Sequence, residues 1–232
     1  MNTGSGDSAA CARTWNRLAV RYGAQEHLET RAIDAALRLA RTTPAERLVD
    51  LATGTGLVLR RLADWPARPR AAVGVDRSAD MLARVGDLPP GWSTVHADAQ
   101  RVPLPDAWSD VVVCSYLLHL LEPDERAAVL AEARRLLRPG ETSRLISVTV
   151  WADDHGARGR LVSRALHGCA QVRPAAWGGL RPLDPTDDLI AAGFAVAHRV
   201  VLPRRGYPSL VLAASPSAAP GRAGLGLLLP GP

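Results

Sequence analysis

Residues 48–56 combine an apolar run, a carboxylate and two closely spaced glycines in the sequence LVDLATGTG. The apolar part around Val49 is typical of a buried parallel strand, and Asp50 places a carboxylate near the carboxyl end of that strand. Gly54 and Gly56 let a ligand approach bare backbone. Because ligands of open α/β sheets bind outside the carboxyl ends of the strands, the run predicts a cofactor-binding turn.

The turn does not match the pattern for a dinucleotide. That pattern is G-x-G-x-x-G/A, and Gly54 and Gly56 fit its first two glycines, but the third position holds Leu59 where close helix–strand packing requires a small residue. An acid before the turn also suits a ligand with a positive amino group better than a pyrophosphate. A phosphate-binding P-loop is excluded because the chain contains no lysine. A glycine loop that only turns the chain stays open as the alternative at this point.

A second carboxylate, Asp76, ends the next apolar run, AVGVD, 22 residues after Gly54. A carboxylate at this position can accept hydrogen bonds from both ribose hydroxyls of an adenosyl cofactor. A single acid after a strand is more often a helix cap, but Ser78 can cap the following helix here. We therefore expect Asp76 to bind a ribose.

Short apolar runs alternating with helical stretches must position these groups. The runs predict strands near 47–51, 71–75, 92–96, 109–115 and 144–150, with helices near 57–64, 78–85 and 123–137. This alternation is typical of an α/β protein with a doubly wound parallel sheet.

The carboxyl-terminal part predicts a hairpin. A helix begins near Asp184 and ends at Gly193, and strand-like runs follow at 194–202 and 209–214. So short a link between two strands cannot cross over to a parallel partner, so this pair should be antiparallel.

The remaining segments define the expected domain organisation. We expect one domain over 12–214, with disordered ends at 1–11 and 215–232. Within it, 12–42 should form a helical cap, in two pieces broken near Gly23, and 151–183 should form an insertion that binds the acceptor.

The glycine turn resembles the first motif of class I S-adenosylmethionine-dependent methyltransferases, D-x-G-x-G-x-G, with Ala52 at the first glycine. Alanine is tolerated there if its φ is negative. Residues 132–140, EARRLLRPG, resemble the E-x-x-R-V-L-K-P-G-G segment of the ubiquinone/menaquinone-biosynthesis-like branch (methyltransferase type 11), with Glu141 replacing the last glycine. The resemblance implies a Rossmann-like methyltransferase fold, a mostly parallel seven-stranded sheet with an antiparallel C-terminal hairpin.

The same resemblance implies S-adenosyl-L-methionine as the cofactor. Asp98 matches an acid that accepts from the adenine amino group, and Ala99 would offer its backbone N–H. Met81 matches a methionine of the adenine pocket, although a core methionine is nearly as consistent, and Tyr22 matches a tyrosine near the cofactor's carboxylate. The expected cofactor-binding residues are Tyr22, Asp50, Ala52, Thr53, Gly54, Gly56, Asp76, Arg77, Met81, Asp98, Ala99 and Ser115.

Two histidines are candidate catalytic residues. His119, in a segment resembling the family's L-H-H-L, could orient or deprotonate an acceptor, and His155, just past the fifth strand, is the second candidate base. A structural role for His119 and a solvated loop position for His155 are the alternatives. Asp110 resembles the acid of an F-D-x-V pattern, with a strand-opening acid as its alternative. His96 is expected to be a strand-end histidine rather than a ligand.

Composition narrows the class of protein. A chain of 232 residues with 47% hydrophobic content fits one α/β domain, and it has no apolar stretch of the ~20 residues that span a bilayer. The start of the chain shows no secretory signal, and the three cysteines lack metal-binding spacing, so we expect no metal and a cytoplasmic protein with reduced thiols. The net charge of +5 is spread along the chain and only 4% of residues are aromatic, which argues against nucleic acid as a partner.

These observations predict a methyltransferase that acts on a small molecule, in specialised metabolism, as a monomer or homodimer that does not bind membranes. One alternative is a protein of the same fold that binds the cofactor but does other chemistry, such as a cyclase or a regulator. Another is a macromolecular methyltransferase, but residues 114–117 read CSYL instead of the N/D-P-P-Y tetrapeptide of base- and glutamine-methylating enzymes. A nicotinamide-linked oxidoreductase ranks last.

Overall fold

The computed structural model describes residues 26–151, 182–202 and 208–217. These residues form one sheet of seven strands and five helices around it. The strands are β1 (Arg47–Leu51), β2 (Ala71–Asp76), β3 (Ser93–His96), β4 (Val111–Ser115), β5 (Arg144–Val150), β6 (Phe194–Leu202) and β7 (Ser209–Pro216). The helices are α1 (Glu26–Ala40), α2 (Leu57–Ala63), α3 (Ala79–Leu82), α4 (Pro123–Leu136) and α5 (Thr186–Ala191), with a 3₁₀ turn at Leu118–Leu120.

The strand order is β3-β2-β1-β4-β5-β7-β6. Strands β1 to β5 pair in parallel, and β7 is antiparallel to both β5 and β6. The predicted mostly parallel sheet with an antiparallel carboxyl-terminal hairpin is therefore confirmed. The chain moves outward from β1 to β3 and then returns to the other side of β1 with β4, so a crevice opens at the carboxyl ends of β1 and β4.

Two hydrophobic layers cover the two faces of this sheet. Alternate residues of a strand point to opposite faces, so neighbouring residues on one strand belong to different layers. Leu48 and Val113 share one layer with Ile33 and Leu37, which α1 buries. On the other face, Val49 belongs to the layer that also contains buried residues of α4 and α5. Both faces are buried, which explains why the parallel strands read as continuous apolar runs.

Helix α3 is shorter than the helix predicted near 78–85. Ser78 accepts a hydrogen bond from the Met81 backbone at 3.2 Å and starts the helix, as expected. After Leu82 the backbone continues in three-residue turns, and Gly86 has a φ of 76°, which a right-handed helix cannot contain.

Strand β7 extends further than predicted. Ser215 and Pro216 pair with the start of β6, and the Ser217 N–H donates to the Gly193 carbonyl at 2.9 Å. The expectation that disorder begins at Ser215 is therefore wrong for these residues, because backbone pairing with β6 and the Arg134 guanidinium, which donates to the Ser217 carbonyl at 2.9 Å, holds them.

The predicted acceptor-binding insertion lies mostly outside the described residues, but its two ends are defined. The Leu183 N–H donates to the Val150 carbonyl at 2.9 Å, and the Thr149 hydroxyl donates to the Leu183 carbonyl at 2.9 Å. The chain therefore leaves the sheet at Trp151 and returns to the same point, at the carboxyl end of β5.

Candidate cofactor site

The parallel register of the central strands brings the predicted carboxylates to one edge of the sheet. Asp50 of β1 lies opposite Gly74 of β2 and Val113 of β4. Asp76 and Ser115 end β2 and β4, so both lie at the carboxyl edge where the crevice opens. The site is thus positioned by strand pairing, with the glycine turn after β1 at its centre.

The glycine turn bends back over β2. The Thr53 N–H donates to the Val75 carbonyl at 2.9 Å, and the Gly56 N–H donates to the Thr53 carbonyl at 2.9 Å. Gly56 has a φ of 81° and precedes α2, and a Cβ on it would lie 2.8 Å from a methyl carbon of Val85. Glycine is therefore required at this position by conformation and by space.

Ala52 does not have the negative φ that alanine needs at this position of the motif. Its φ is 58°, in the left-handed region, so the negative φ under which alanine fits this motif is absent. A residue with a Cβ loses about 1–2 kcal/mol in this conformation relative to a right-handed one. Ala52 lines the cavity described below, so the strain lies in the site itself.

Asp76 links the strand end to the glycine turn. One carboxylate oxygen accepts the Gly54 N–H at 2.8 Å, and the other accepts the Ser78 N–H at 2.8 Å. Burial raises the pKa of this carboxyl group above its usual value, and the two backbone N–H donors oppose that rise. The carboxylate is preformed at the cavity and can accept further hydrogen bonds.

Asp50 lies behind the turn, fully buried. Neither of its carboxylate oxygens has a hydrogen-bond partner among the described residues. Burial is the main cause that raises the pKa of Asp50 to about 7, and the charge of Asp76 raises it further. The nearby Thr53 hydroxyl lowers this pKa, although it does not reach hydrogen-bonding geometry. Two adjacent carboxyl groups with raised pKa values favour a ligand that carries positive charge.

A cavity at this edge is lined by residues from five segments of the chain. Most of the expected cofactor-binding residues are among its walls. Those residues are Ala52, Gly54, Asp76, Arg77, Met81, Asp98, Ala99 and Ser115. Three others, Asp50, Thr53 and Gly56, do not line it and instead form the buried support of the turn.

The cavity also has an apolar wall that the sequence analysis missed. It is formed by the turn after β4 and by the first half of α4. Its members are Tyr116, Leu117, Leu120, Leu121 and Val129, and the polar Gln100 lines the cavity beside Ala99. The run of leucines after the fourth strand was a usable signal, because it is more apolar than a surface turn requires. The left-handed φ of Tyr116, 53°, had no signal in the sequence.

The loop that carries Asp98 and Ala99 is held by one ion pair of α4. The Glu132 carboxylate accepts the Val102 N–H at 2.6 Å and pairs with the Arg135 guanidinium at 2.7 Å. Arg135 in turn donates to the carbonyl of Leu104 at 2.9 Å. The E-x-x-R part of the family segment therefore fixes the adenine-side loop of the predicted site.

His96 makes a contact that the sequence analysis did not foresee. Its Nε2 lies 3.0 Å from the Arg77 carbonyl oxygen, which can only accept, so Nε2 carries the proton. The end of β3 is thereby tied to the loop that follows Asp76. As expected, His96 does not line the cavity.

Of the two candidate catalytic residues, His119 does not line the cavity. His119 is 2% exposed and packs edge-on against the Tyr116 ring with centroids 6.1 Å apart. Burial lowers its pKa to about 3, so the imidazole is neutral at pH 7 and a weak base. This favours the structural alternative for His119. His155 and Tyr22 lie outside the described residues.

Asp110 lies at the opposite edge of the sheet from the cavity. It accepts the Arg47 N–H at 2.8 Å and pairs with Arg138 at 3.1 Å. The strand-opening alternative is therefore the one that the structure supports. Among the described residues there is no cluster of groups suited to a metal ion, and none of the described helices has the length and apolarity needed to span a membrane.

Comparison with known proteins finds similarity in the central part of this chain. Residues 48–140 match the family described as "Methyltransferase domain". The chain is 35% identical over 119 residues to the ubiquinone/menaquinone biosynthesis C-methyltransferase UbiE of Caulobacter vibrioides, which covers 46% of each protein. The chain thus spans about half the length of the curated relatives that it matches.

Solved structures share the fold at low identity. An S-adenosylmethionine-dependent methyltransferase from Mesorhizobium loti matches with a TM-score of 0.59 and 22% identity, over 81% of this chain and 97% of that one. The [4+2]-cyclase SpnF matches with a TM-score of 0.62 and 18% identity, over 82% of this chain and 81% of that one. Residues 48–140 of this chain are therefore similar to a methyltransferase domain, and the strand order and the glycine turn with its two carboxylates agree with that similarity.

Proposed function

We propose that this protein binds S-adenosyl-L-methionine in the cavity at the carboxyl edge of the sheet and transfers its methyl group to a small-molecule acceptor. The observation that carries this proposal is the Asp76 carboxylate, which lines the cavity and is held by the Gly54 and Ser78 N–H groups. A ribose bound there would donate its hydroxyls to this carboxylate.

The residues present fit the rest of such a cofactor. The leucines after β4 and Met81 supply an apolar wall for an adenine ring, and Asp98 and Ala99 lie at the same cavity. The raised pKa values of Asp50 and Asp76 reflect carboxylates that burial disfavours in the charged form. A ligand with a sulfonium and an ammonium group relieves this cost, whereas a pyrophosphate would add to it.

The acceptor is proposed to bind near the carboxyl end of β5. Leu183, at the end of the insertion, donates its N–H to the Val150 carbonyl, and the Trp151 N–H donates to the Pro208 carbonyl. The end of β4, where Ser115 and Tyr116 line the cavity, is next to this point, because Ser115 pairs with Val148 of β5. The similarity to UbiE, a ubiquinone/menaquinone biosynthesis C-methyltransferase, supports a small-molecule acceptor for this chain as well.

When bound, the cofactor supplies an activated methyl group on a positively charged sulfur. The protein's part is then mainly to hold the acceptor in line and to exclude water. A general base is required only for an acceptor that must lose a proton, and buried His119 is poorly suited to that role. Asp76 and the apolar wall would fix the cofactor without taking part in proton transfer.

Calorimetry with S-adenosylhomocysteine on the wild type, Asp76→Asn and Asp76→Ala tests the cofactor assignment. We expect micromolar binding to the wild type and a loss of roughly tenfold or more in Asp76→Ala, because hydrogen bonds to a charged acceptor contribute about 1.5–3 kcal/mol. Asp124, an acid in the first turn of α4, provides the control, since Asp124→Ala should leave binding unchanged. Equal affinity in all variants would remove the ribose assignment.

A second candidate function is non-methylating chemistry on the same cofactor-binding fold. The similarity to SpnF supports this alternative, because SpnF shares the fold and is a [4+2]-cyclase. Incubation with labelled S-adenosylmethionine and candidate acceptors separates the two. Formation of S-adenosylhomocysteine with a methylated product supports methyl transfer, whereas tight cofactor binding and conversion of an acceptor without methyl loss would support the cyclase.

A further inference from the structure

One carboxylate of α1 holds the glycine turn from outside the cavity. Glu26 Oε1 accepts the Thr55 hydroxyl at 2.6 Å and the Arg60 guanidinium at 2.7 Å. Arg60 also donates to the Thr55 carbonyl oxygen. The hydroxyl and the carbonyl of a single residue are thus fixed by one carboxylate–guanidinium pair.

The residue that is held sits between the two glycines of the turn. Gly54 and Gly56 have φ values of 56° and 81°, and residues with no Cβ leave the intervening peptide free to rotate. Thr55 is only 5% exposed, so its hydroxyl requires a partner within the protein. Gly54 donates its N–H to the Asp76 carboxylate. A rotation at Thr55 would therefore also move the N–H group that Asp76 accepts.

This contact differs from an ordinary ion pair between helices. The Glu26 and Arg60 side chains are 23% and 37% exposed, and a pair at that exposure contributes little to stability by itself. The bond from the Thr55 hydroxyl to the Glu26 carboxylate is charge-assisted, and it connects α1 to the proposed cofactor turn.

We propose that Glu26 is a positioning residue for the cofactor: acting through Thr55 and together with Arg60, it holds the glycine turn in its binding conformation before the ligand arrives. The expected effect of Glu26 on cofactor affinity rests on the proposed function. The effect of Glu26 on the conformation of the turn does not depend on which ligand binds.

The chain offers a matched control. Asp34 and Arg61 form a second ion pair between the same two helices, with bonds of 2.6 to 2.9 Å from Arg61 to both Asp34 oxygens. Their side chains are 19% and 41% exposed, close to the values for Glu26 and Arg60. This pair makes no contact with the glycine turn among its described hydrogen bonds, so it reports helix docking alone.

The test measures S-adenosylhomocysteine affinity and amide hydrogen exchange in five variants: Glu26→Ala, Glu26→Gln, Thr55→Val, Thr55→Ser and Asp34→Ala. We expect Glu26→Ala and Thr55→Val to lower affinity by roughly tenfold, because each removes the same charge-assisted bond. Thr55→Ser keeps the hydroxyl donor and should stay within about threefold of the wild type. Glu26→Gln keeps an acceptor but loses its charge, so its affinity should lie between those of the wild type and Glu26→Ala. Combining Glu26→Ala with Thr55→Val should cost no more than either change alone.

Exchange of the Gly56 amide is the readout that does not need a ligand. This N–H donates to the Thr53 carbonyl inside the turn. We expect faster exchange in Glu26→Ala than in the wild type, and no change in Asp34→Ala. If Asp34→Ala weakens binding as much as Glu26→Ala, or if neither readout responds to Glu26, the positioning role is wrong. If the wild type fails to bind S-adenosylhomocysteine while the exchange result holds, the proposed function fails and the positioning of the turn stands.

Discussion

Gly74 on β2 makes room for Leu59 on α2. A Cβ on Gly74 would lie 2.8 Å from Leu59 Cδ1 and 2.9 Å from the side chain of Thr53. A dinucleotide turn has a small residue at the third glycine position, on its helix. This chain has Leu59 at that position, and the small residue is Gly74 on the facing strand. The helix and the sheet therefore still pack closely, because the small residue is on the strand and the large residue is on the helix.

Gly74→Ala should therefore destabilise the protein by about 1–3 kcal/mol through overpacking, measured by urea unfolding. The double variant Gly74→Ala/Leu59→Val should recover part of that loss, because the shorter side chain withdraws from the new methyl group. A purely additive double variant would mean that Leu59 is not the residue in conflict.

Ala52→Gly is expected to raise stability, in contrast to most alanine-to-glycine changes. The left-handed φ of Ala52 costs about 1–2 kcal/mol, and the greater freedom of glycine in the unfolded chain offsets part of the gain, leaving about 0.5–1 kcal/mol.

Ala127, exposed on α4, is the matched control for that substitution. Ala127→Gly should lower stability by about 1 kcal/mol, since it lies in a right-handed helix. If Ala52→Gly loses as much as Ala127→Gly in thermal unfolding, the strain at Ala52 is absent.

Asp50→Asn should change how stability depends on pH. Burial raises the pKa of Asp50 in the folded protein to about 7, above its value of about 4 in the unfolded chain, so the folded state binds the extra proton between these values. Wild-type stability should consequently fall as pH rises from about 4 to about 7, whereas this contribution is absent from Asp50→Asn.

The difference in unfolding free energy between the two proteins should grow across that window. Since one pKa unit corresponds to about 1.4 kcal/mol, it should reach about 4 kcal/mol and then level off above pH 7. Parallel curves from pH 4 to 8 in urea titrations would contradict the assignment of a buried, unpaired carboxyl group.

His96→Leu should weaken binding of S-adenosylhomocysteine by two- to tenfold, roughly the 0.5–1.5 kcal/mol of one neutral hydrogen bond. The lost bond runs from His96 Nε2 to the carbonyl of Arg77, the residue after the proposed ribose ligand Asp76. His96→Gln, which retains an N–H donor at similar reach, should bind nearly as well as the wild type.

His198, exposed on β6, gives the control for that measurement. His198→Leu should leave affinity unchanged in the same calorimetric assay. Equal weakening by Leu and Gln at position 96 would show that the hydrogen bond is not responsible.

The sequence was most informative where local chemistry and strand periodicity coincide. Each buried strand reads as a continuous apolar run, and Asp76 could be placed because strand ends of a parallel sheet meet at one edge. The antiparallel hairpin also followed, because a six-residue link cannot cross over.

The parts that could not be predicted depend on contacts between distant residues or on backbone conformation. Nothing in the sequence around Ala52 or Tyr116 signals a left-handed φ. The burial of His119 and its shifted pKa depend on how the turn after β4 packs, and the motif alone suggested a residue facing the crevice. The additional length of β7 results from pairing with β6, which the Pro- and Ala-rich sequence near 216 conceals.

The two ends of the predicted insertion have a consequence for protein engineering. The Leu183 N–H donates to the Val150 carbonyl and the Thr149 hydroxyl donates to the Leu183 carbonyl, so the chain leaves β5 and returns to it at one point. Trp151 and Leu183 are therefore suitable boundaries for exchanging the intervening segment between related chains. Under the proposed function, such chimaeras should keep the proposed cofactor site and differ in the acceptor that they methylate.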